Sequence, residues 1–450
     1  MTKITPVILA AGQGTRMKSK LPKMLHKICG QPMVFYALDA ARAASNDTPV
    51  MVVGHGAEAV QAAVGDAARF IIQAEQLGTG HAVIQAESLL GGQDGLVLVT
   101  YGDMPLLRAE TVQRLVEAQQ ANPGPMSLLT VIAEDPRGFG RIVRNADGTV
   151  QAIVEEAQAD SAQLAITELN VGAYCFRSEW LWPALKRIPL SPKGEYYLTD
   201  TVALAVEENL PVQAILLDDM VETIGVNSRV HLAEAEAAMR KRINIAHMLN
   251  GVTMIQPETV YIEAGVRIGS DTVLWPNTYL QGKTSIGEEC AIGPNTIIRN
   301  TTVGDRCKVL MADLESAVLE NDVDMGPFAR LRKGAHLGNH VHMGNFGEVK
   351  DSHLAEGVKM GHFSYIGNAE IGANTNIGAG TITCNYDGEK KHPTTIGEDV
   401  FIGSDTMLVA PLTIGARSRT GAGAVVTKNV PDDTLVVGVP ARAIKKLDKK

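Results

Sequence analysis

The chain has 450 residues, so two or three domains are expected at roughly 100–200 residues each. Apolar residues make up 45% and charged residues 20%, an ordinary globular composition, and a net charge of −9 argues against nucleic acid as the main partner. The five cysteines are odd in number, widely spaced and lack a Cys-x-x-Cys, which argues against a disulfide framework or zinc site and for a reducing, cytoplasmic compartment; no apolar run approaches the ~18 residues of a membrane span.

Residues 7–11, 50–53, 70–72, 96–100 and 127–132 read as buried strands. Amphipathic stretches at 33–43, 57–64, 80–89 and 109–119 lie between them and read as helices. This alternation predicts an α/β sheet covered on both faces. The runs 140–144 and 150–154, joined by Ala146-Asp147-Gly148, predict a hairpin added to that sheet. Over 228–249, Val230, Leu232, Ala235, Met239, Ile243 and Ala246 recur mostly at helical spacing, with charged residues between them. That is one amphipathic helix, read as a connector.

The second half is repetitive. An aliphatic residue followed by Gly occurs at Ile286-Gly287 and Ile292-Gly293, six residues apart. The pair returns at Leu337-Gly338 and Met343-Gly344, at Met360-Gly361 and Ile366-Gly367, at Ile371-Gly372 and Ile377-Gly378, and at Ile396-Gly397 and Ile402-Gly403. A sustained period of six marks a parallel β-helix of hexapeptide repeats, in which the aliphatic residue points inward and Gly relieves a corner. The stretch 383–395 breaks the period and reads as a loop thrown out of the prism, a common place for function. The expected division is therefore 1–227, a connector at 228–249, and 250–450.

Chemistry is concentrated in a few places. Leu9-Ala10-Ala11-Gly12-Gln13-Gly14-Thr15-Arg16-Met17 follows the first strand, and Leu21-Pro22-Lys23 comes soon after. Such glycines let backbone N–H groups face phosphates, and Arg16 and Lys23 add positive charge. The Walker pattern and the dinucleotide fingerprint are both absent. Tyr101-Gly102-Asp103 ends the fourth strand, where an Asp suits Mg²⁺ beside substrate phosphates. In the repeats, Leu331, Leu337, Met343 and Val349 are spaced by six, so Arg332 and Lys350 fall in one slot of successive coils. They should stack ~5 Å apart and repel unless an anion such as a sugar phosphate joins them. His362 takes an outward position about one coil on, before the excursion loop.

Leu-Ala-Ala-Gly-x-Gly-Thr-Arg-Met with Pro-Lys resembles the nucleoside-diphosphate-sugar pyrophosphorylases. Gln73-Ala74-Glu75-Gln76-Leu77-Gly78-Thr79-Gly80, Gly194-Glu195-Tyr196-Tyr197, Gly225-Val226-Asn227 and the hexapeptide half narrow the resemblance. Together they are similar to the bacterial family that joins N-acetylglucosamine-1-phosphate uridyltransferase to glucosamine-1-phosphate N-acetyltransferase, over nearly the whole chain. The fold implied is a Rossmann-like nucleotidyltransferase domain, a connector helix and a left-handed parallel β-helix.

The resemblance implies roles for matching residues. Leu9, Ala10, Ala11, Gly12 and Lys23 would contact UTP. Gln73 and Gly78 would read uracil, with Thr79, Tyr101 and Gly102 close by. Asp103 and Asn227 would hold Mg²⁺, and Gly140, Glu155 and Asn170 would hold the sugar. Arg16 and Lys23 would stabilise charge on the departing pyrophosphate. In the other half, Arg332, Lys350, Tyr365, Asn376 and Lys391 would bind glucosamine-1-phosphate. His362 would be the general base for acetyl transfer, a role that suits a group titrating near neutrality. Ala379, Asn385, Tyr386, Ser404, Ala422 and Arg442 would meet acetyl-CoA. The family implies a homotrimer, with a product used for cell-wall and lipopolysaccharide precursors. One departure is Ala157, where the family often carries Lys. A single-activity sugar nucleotidyltransferase with a regulatory β-helix is the alternative, and the set Arg332, Lys350, His362, Tyr365 and Asn385 argues against it. A non-catalytic binding subunit is a second, against which Arg16, Lys23, Asp103 and Asn227 argue.

Overall fold

The first apolar run makes the central strand of a sheet. β1 (Ile4–Ala10) is buried at every position, which is what a strand covered on both faces requires. It pairs in parallel with β2 (Val50–Val53) and with β4 (Leu96–Tyr101), and β2 pairs in parallel with β3 (Arg69–Ile72). The helices between them are α1 (Met33–Ala43), α2 (Ala57–Val64) and α3 (Thr79–Gln85), followed by α4 (Ala109–Ala121) after β4. The helix expected over 80–89 is interrupted. At Ala86 the backbone bonds to Val83 three residues back, and a separate turn of helix, Glu87–Leu90, follows.

Three further strands follow, β5 (Met126–Ile132) and the hairpin of β6 (Arg141–Arg144) with β7 (Val150–Val154), antiparallel as expected. Sequence reading missed β8 (Glu168–Arg177), ten residues long, which enters antiparallel between β4 and β5. After it come α5 (Ser178–Leu185), α6 (Asp200–Glu207) and β9 (Val212–Leu216). The strand order is β9-β5-β8-β4-β1-β2-β3, with β6 and β7 attached beside β8. Leu9 lies opposite both Val52 and Tyr101, so the carboxyl ends of β1, β2 and β4 are level. The loops that leave these ends therefore share one edge, where open α/β sheets bind ligands.

The structure, a computed structural model, describes residues 2–446. They form two compact units, the first ending at Met239 and the second beginning at Arg240. The helix α7 (Arg229–Leu249) runs across that division.

The second unit is a prism of short parallel strands in three sheets of 12, 10 and 9 strands, the 12-stranded sheet closing on an antiparallel pair, Thr434–Gly438 with Ala441–Lys446. Each strand pairs with the one a full coil later, as Leu331 with Val349 and Val349 with Ile366. These three side chains are wholly buried, and full burial of one such side chain contributes roughly 1.5–3 kcal/mol. The repeat glycines are set by close stacking of coils. A Cβ on Gly344 would lie 1.9 Å from the Gly361 carbonyl oxygen, so no side chain fits there. This architecture is consistent with the left-handed prism that the resemblance implies.

Candidate active sites

The level strand ends of the first unit open into a cavity of about 470 Å³. Leu9 lines it from the end of β1, and Ala11, Gly12 and Lys23 from the segment that follows. Gln73, Gly78 and Thr79 line it from the segment between β3 and α3, and Tyr101 and Asp103 from the end of β4. Gly140, Glu155, Asn170 and Asn227 complete the expected set. Ala10 turns instead into the core under α1, and Gly102 packs against Met24 and Ala10. Arg16 is exposed in a short 3-10 turn and does not line the cavity. Gln76, Tyr197 and Thr199 also line it; Gln76 and Tyr197 fall in the motifs at 73–80 and 194–197 but were given no role, and Thr199 carries no motif.

Lys23 is buried at 9% exposure, and its ammonium is 2.5 Å from Asp103 Oδ2 and 2.7 Å from Asn227 Oδ1. Gly14, in the left-handed region at φ 63°, allows this, because a Cβ there would lie 2.7 Å from Lys23 Cβ. Asn227 is carried to Asp103 by a backbone bond from Val226 N–H to the Asp103 carbonyl at 2.9 Å. A carboxylate oxygen and an amide oxygen thus converge on one cationic point. They are hard oxygen donors, so the pair fits Mg²⁺ with the remaining positions left to substrate phosphate and water.

At the far end, Thr199 Oγ1 donates to Glu155 Oε1 at 2.9 Å, and burial pushes the Glu155 carboxyl above the usual carboxylate range. Asn170 stands where β8 changes register against β5, between Asn170 and Tyr174. Its Nδ2 donates to Tyr174 Oη at 2.7 Å and its Oδ1 accepts from Gly172 N–H at 3.2 Å. Gly172 has φ 91°, and a Cβ on it would lie 2.9 Å from the Tyr101 ring. Ala157 is exposed in a 3-10 turn beside Glu156, which pairs with the buried Arg141 at 2.9 Å.

On the prism, the pairing of Leu331 with Val349 places Arg332 beside Lys350, as the spacing predicts, and Lys350 pairs with Gly367 on the next coil. The cations are not left bare. Arg332 Nη1 bonds Glu348 Oε1 at 2.9 Å, and Lys350 lies 3.8 Å from Asp351. Lys391 returns on the excursion loop, and its hydrogen bond and charge, then desolvation and the Arg332 charge, hold Lys350 below the ordinary lysine range. Tyr365 follows Glu348 in register. A Cβ built on Gly367 would be 2.5 Å from Tyr365 Oη and 2.8 Å from Asn385 Nδ2, so both polar groups gather over that glycine. Asn385 itself donates to Asn368 Oδ1 at 2.7 Å.

His362 is exposed on the corner before the strand Ser364–Gly367, and its Nδ1 lies 3.3 Å from Asn345 Oδ1. With that oxygen facing it, Nδ1 would carry the proton and Nε2 would keep the lone pair. Backbone bonds from Gly380 to Phe363, Asp405 to Ala379 and Gly423 to Ser404 stack Ala379, Ser404 and Ala422 in line along this same corner. Asn376 lies on the 12-stranded sheet, the other face meeting the corner, while Arg332, Lys350 and Tyr365 lie on or beside the 10-stranded one. Tyr386 is exposed, with its hydroxyl on the Gly388 carbonyl at 2.5 Å. Arg442 is exposed on the closing hairpin and donates to the Ala441 carbonyl at 3.1 Å. Asn345 and Glu348 were not foreseen; only their places one coil below His362 and Tyr365 could have signalled them.

Residues 6–194 match the family model of the MobA-like NTP transferase domain. Residues 265–300 and 393–428 match that of the bacterial transferase hexapeptide, six repeats. The chain is 46% identical to the bifunctional protein GlmU of Geobacillus sp. strain WCH70, over 99% of this chain and 97% of that one. It is 44% identical to the proteins of that name from Latilactobacillus sakei, covering 97% of this chain and 95% of the relative, and Shouchella clausii, covering 96% and 95%. The chain therefore belongs to the bifunctional GlmU family.

Proposed function

We propose that the protein makes UDP-N-acetylglucosamine in two steps, one by each half of the chain. It acetylates glucosamine-1-phosphate with acetyl-CoA, then transfers UMP from UTP to N-acetylglucosamine-1-phosphate with release of pyrophosphate. The observation that carries the two-step reading is His362, whose Nδ1 lies 3.3 Å from Asn345 Oδ1 on the corner leading into the strand that pairs with the one carrying Lys350. A prism kept only for regulation has no need of a positioned base.

In the acetyl step, Arg332, Lys350 and Lys391 would take the sugar phosphate, which relieves their mutual repulsion, with Tyr365 and Asn376 on the sugar. The glucosamine amine attacks the thioester carbonyl, its proton passes to His362 Nε2, and the CoA thiolate leaves. The Asn385 amide would donate to the thioester oxygen as charge builds there. Ala379, Ser404 and Ala422 would leave room for the pantetheine chain along their corner, with Tyr386 beside it and Arg442 at a CoA phosphate.

In the uridyl step, the sugar phosphate oxygen attacks the α-phosphorus of UTP in line with the departing pyrophosphate. Bound to Asp103 and Asn227, Mg²⁺ supplies charge neutralisation on the triphosphate. Lys23 and the backbone of Leu9 to Gly12 would hold the phosphates, with Arg16 reaching the pyrophosphate from the loop. Gln73 and Gly78 would read uracil, and Gly140, Glu155 and Asn170 the sugar.

Product analysis by mass spectrometry tests the whole reading. Glucosamine-1-phosphate, acetyl-CoA, UTP and Mg²⁺ together should yield UDP-N-acetylglucosamine. Without Mg²⁺, N-acetylglucosamine-1-phosphate should accumulate. If UDP-N-acetylglucosamine forms only from added N-acetylglucosamine-1-phosphate, the prism is a scaffold.

A homotrimer belongs to the same reading. It is supported by Phe328 and Phe346, stacked at 5.3 Å and more than half exposed on one corner of the prism. Light scattering should give about three times the 48.0 kDa chain mass, and a monomer with full acetyl transfer would rule out shared sites. Among the described residues no helix is long and apolar enough to cross a membrane. No disulfide joins the cysteines of the described residues, which supports a cytoplasmic location.

A further inference from the structure

Gln73 leaves the end of β3 with its backbone N–H on the Val53 carbonyl, and its side chain is almost wholly buried, at 3% exposure. Its Nε2 donates to the Gly78 carbonyl at 3.1 Å and lies 3.1 Å from His81 Nδ1. Across the same imidazole, Gln85 Nε2 lies 3.2 Å from His81 Nε2 and 3.0 Å from the His81 carbonyl. His81 thus stands between two amides, one on each ring nitrogen.

A neutral imidazole has one N–H and one lone pair, so it cannot accept from both amides. One of them has to present its oxygen. Turning the Gln73 amide would set its oxygen against the Gly78 carbonyl, and water can hardly replace the lost bond because Gln73 is only 3% exposed. Gln85 is only partly buried, so water replaces whatever bond it gives up. Gln73 therefore keeps its NH₂ on His81 Nδ1. His81 carries its proton on Nε2, and Gln85 turns its oxygen to that N–H.

Both amide hydrogens of Gln73 are then spent on protein, on Gly78 and on His81. Only Oε1, which has no protein partner among the described residues, is left for the cavity that Gln73 lines. That oxygen is an acceptor and nothing else. Uracil presents an N3–H donor on its pairing edge, whereas cytosine presents a bare N3. We infer that His81 is a positioning residue that locks Gln73 as an acceptor and so makes the base site select uracil over cytosine. The inference rests on Gln73 being the base contact.

The test is the ratio of kcat/KM for UTP to that for CTP, measured with N-acetylglucosamine-1-phosphate on the full chain. His81→Leu frees the Gln73 amide to turn, so the ratio should fall about tenfold, chiefly through KM for UTP. His81→Asn places an oxygen near the former Nδ1 and should hold the ratio within about threefold of the wild type. His81→Gln reaches the Nε2 position instead and should behave like His81→Leu. The Asn and Gln variants decide the matter if the Leu variant fails to fold.

A ratio unchanged in His81→Leu and His81→Gln, with KM raised equally for both nucleotides, would overturn the inference. His81 would then serve only as packing against Tyr196, on which it stacks at 6.5 Å. Gln73→Leu separates the two levels. If it collapses the ratio while the His81 variants do not, the His81 role alone fails. If it leaves the ratio intact, Gln73 is not the base contact, and both readings fail together.

Discussion

His362→Ala should reduce acetyl transfer by about 10²–10⁴-fold and leave uridyl transfer at the wild-type rate. The imidazole sits on a prism corner with Nδ1 3.3 Å from Asn345 Oδ1, a contact that would orient the ring and leave Nε2 as the base. The cations that would take the sugar phosphate, Arg332 and Lys350, stand on coils held by backbone pairing, and the substitution does not touch that pairing. Substrate should therefore still bind, and the loss should fall on kcat more than on KM. The side chain is exposed, so truncation opens no cavity in the core and the fold should survive. Thioester cleavage followed by released thiol, beside pyrophosphate release on the same preparation, reads both activities. Loss of both would point to misfolding, and loss of neither would remove His362 as the base.

The second large effect is expected at Asp103. Asp103→Ala should cut uridyl transfer by about 10²–10³-fold and spare acetyl transfer. The carboxylate is one of two oxygens converging on the Lys23 ammonium, at 2.5 Å. Its removal takes away the only negative charge among these donors and leaves a buried Lys23 with the neutral Asn227. Asp103→Asn keeps an oxygen of similar reach without the charge. Its activity should fall with a steeper demand for Mg²⁺ than the wild type shows, which a titration of pyrophosphate release against Mg²⁺ would read. An unchanged Mg²⁺ dependence in both variants would remove Asp103 from cation binding. Arg16→Ala belongs in the same series. Because Arg16 is exposed and outside the cavity, wild-type turnover in that variant would confine phosphate stabilisation to Lys23 and the loop backbone.

Several elements were legible because their signal is local. The helix over 33–43 and the helix over 57–64 begin and end where their amphipathic pattern does. The prism follows from one inward aliphatic residue every six, since that period alone stacks Leu331, Val349 and Ile366. The stacking of Arg332 on Lys350 follows from the same count. The segment from Leu9 to Lys23 was legible as part of the site because glycine and cationic residues follow a strand directly, and Leu9, Ala11, Gly12 and Lys23 line the cavity.

Other features depend on the folded chain. Strand β8 carries Asn170 and Gly172 in its middle, and its break in register blurs the alternation by which a strand is recognised. Thr199 reaches Glu155 across 44 residues, and Lys23 reaches Asn227 across 204. The Glu348 carboxylate on Arg332 and the Asn345 oxygen on His362 each come from an adjoining coil. By itself the sequence determined which residues face inward and where the chain turns, because side-chain periodicity and backbone preference act over a few residues. Only the tertiary structure decided which polar groups meet and which hydrogen-bond partners His81, His362 and Gln73 are given. Those choices follow from hydrogen-bond partners that burial forces together from distant segments, and no local pattern records them.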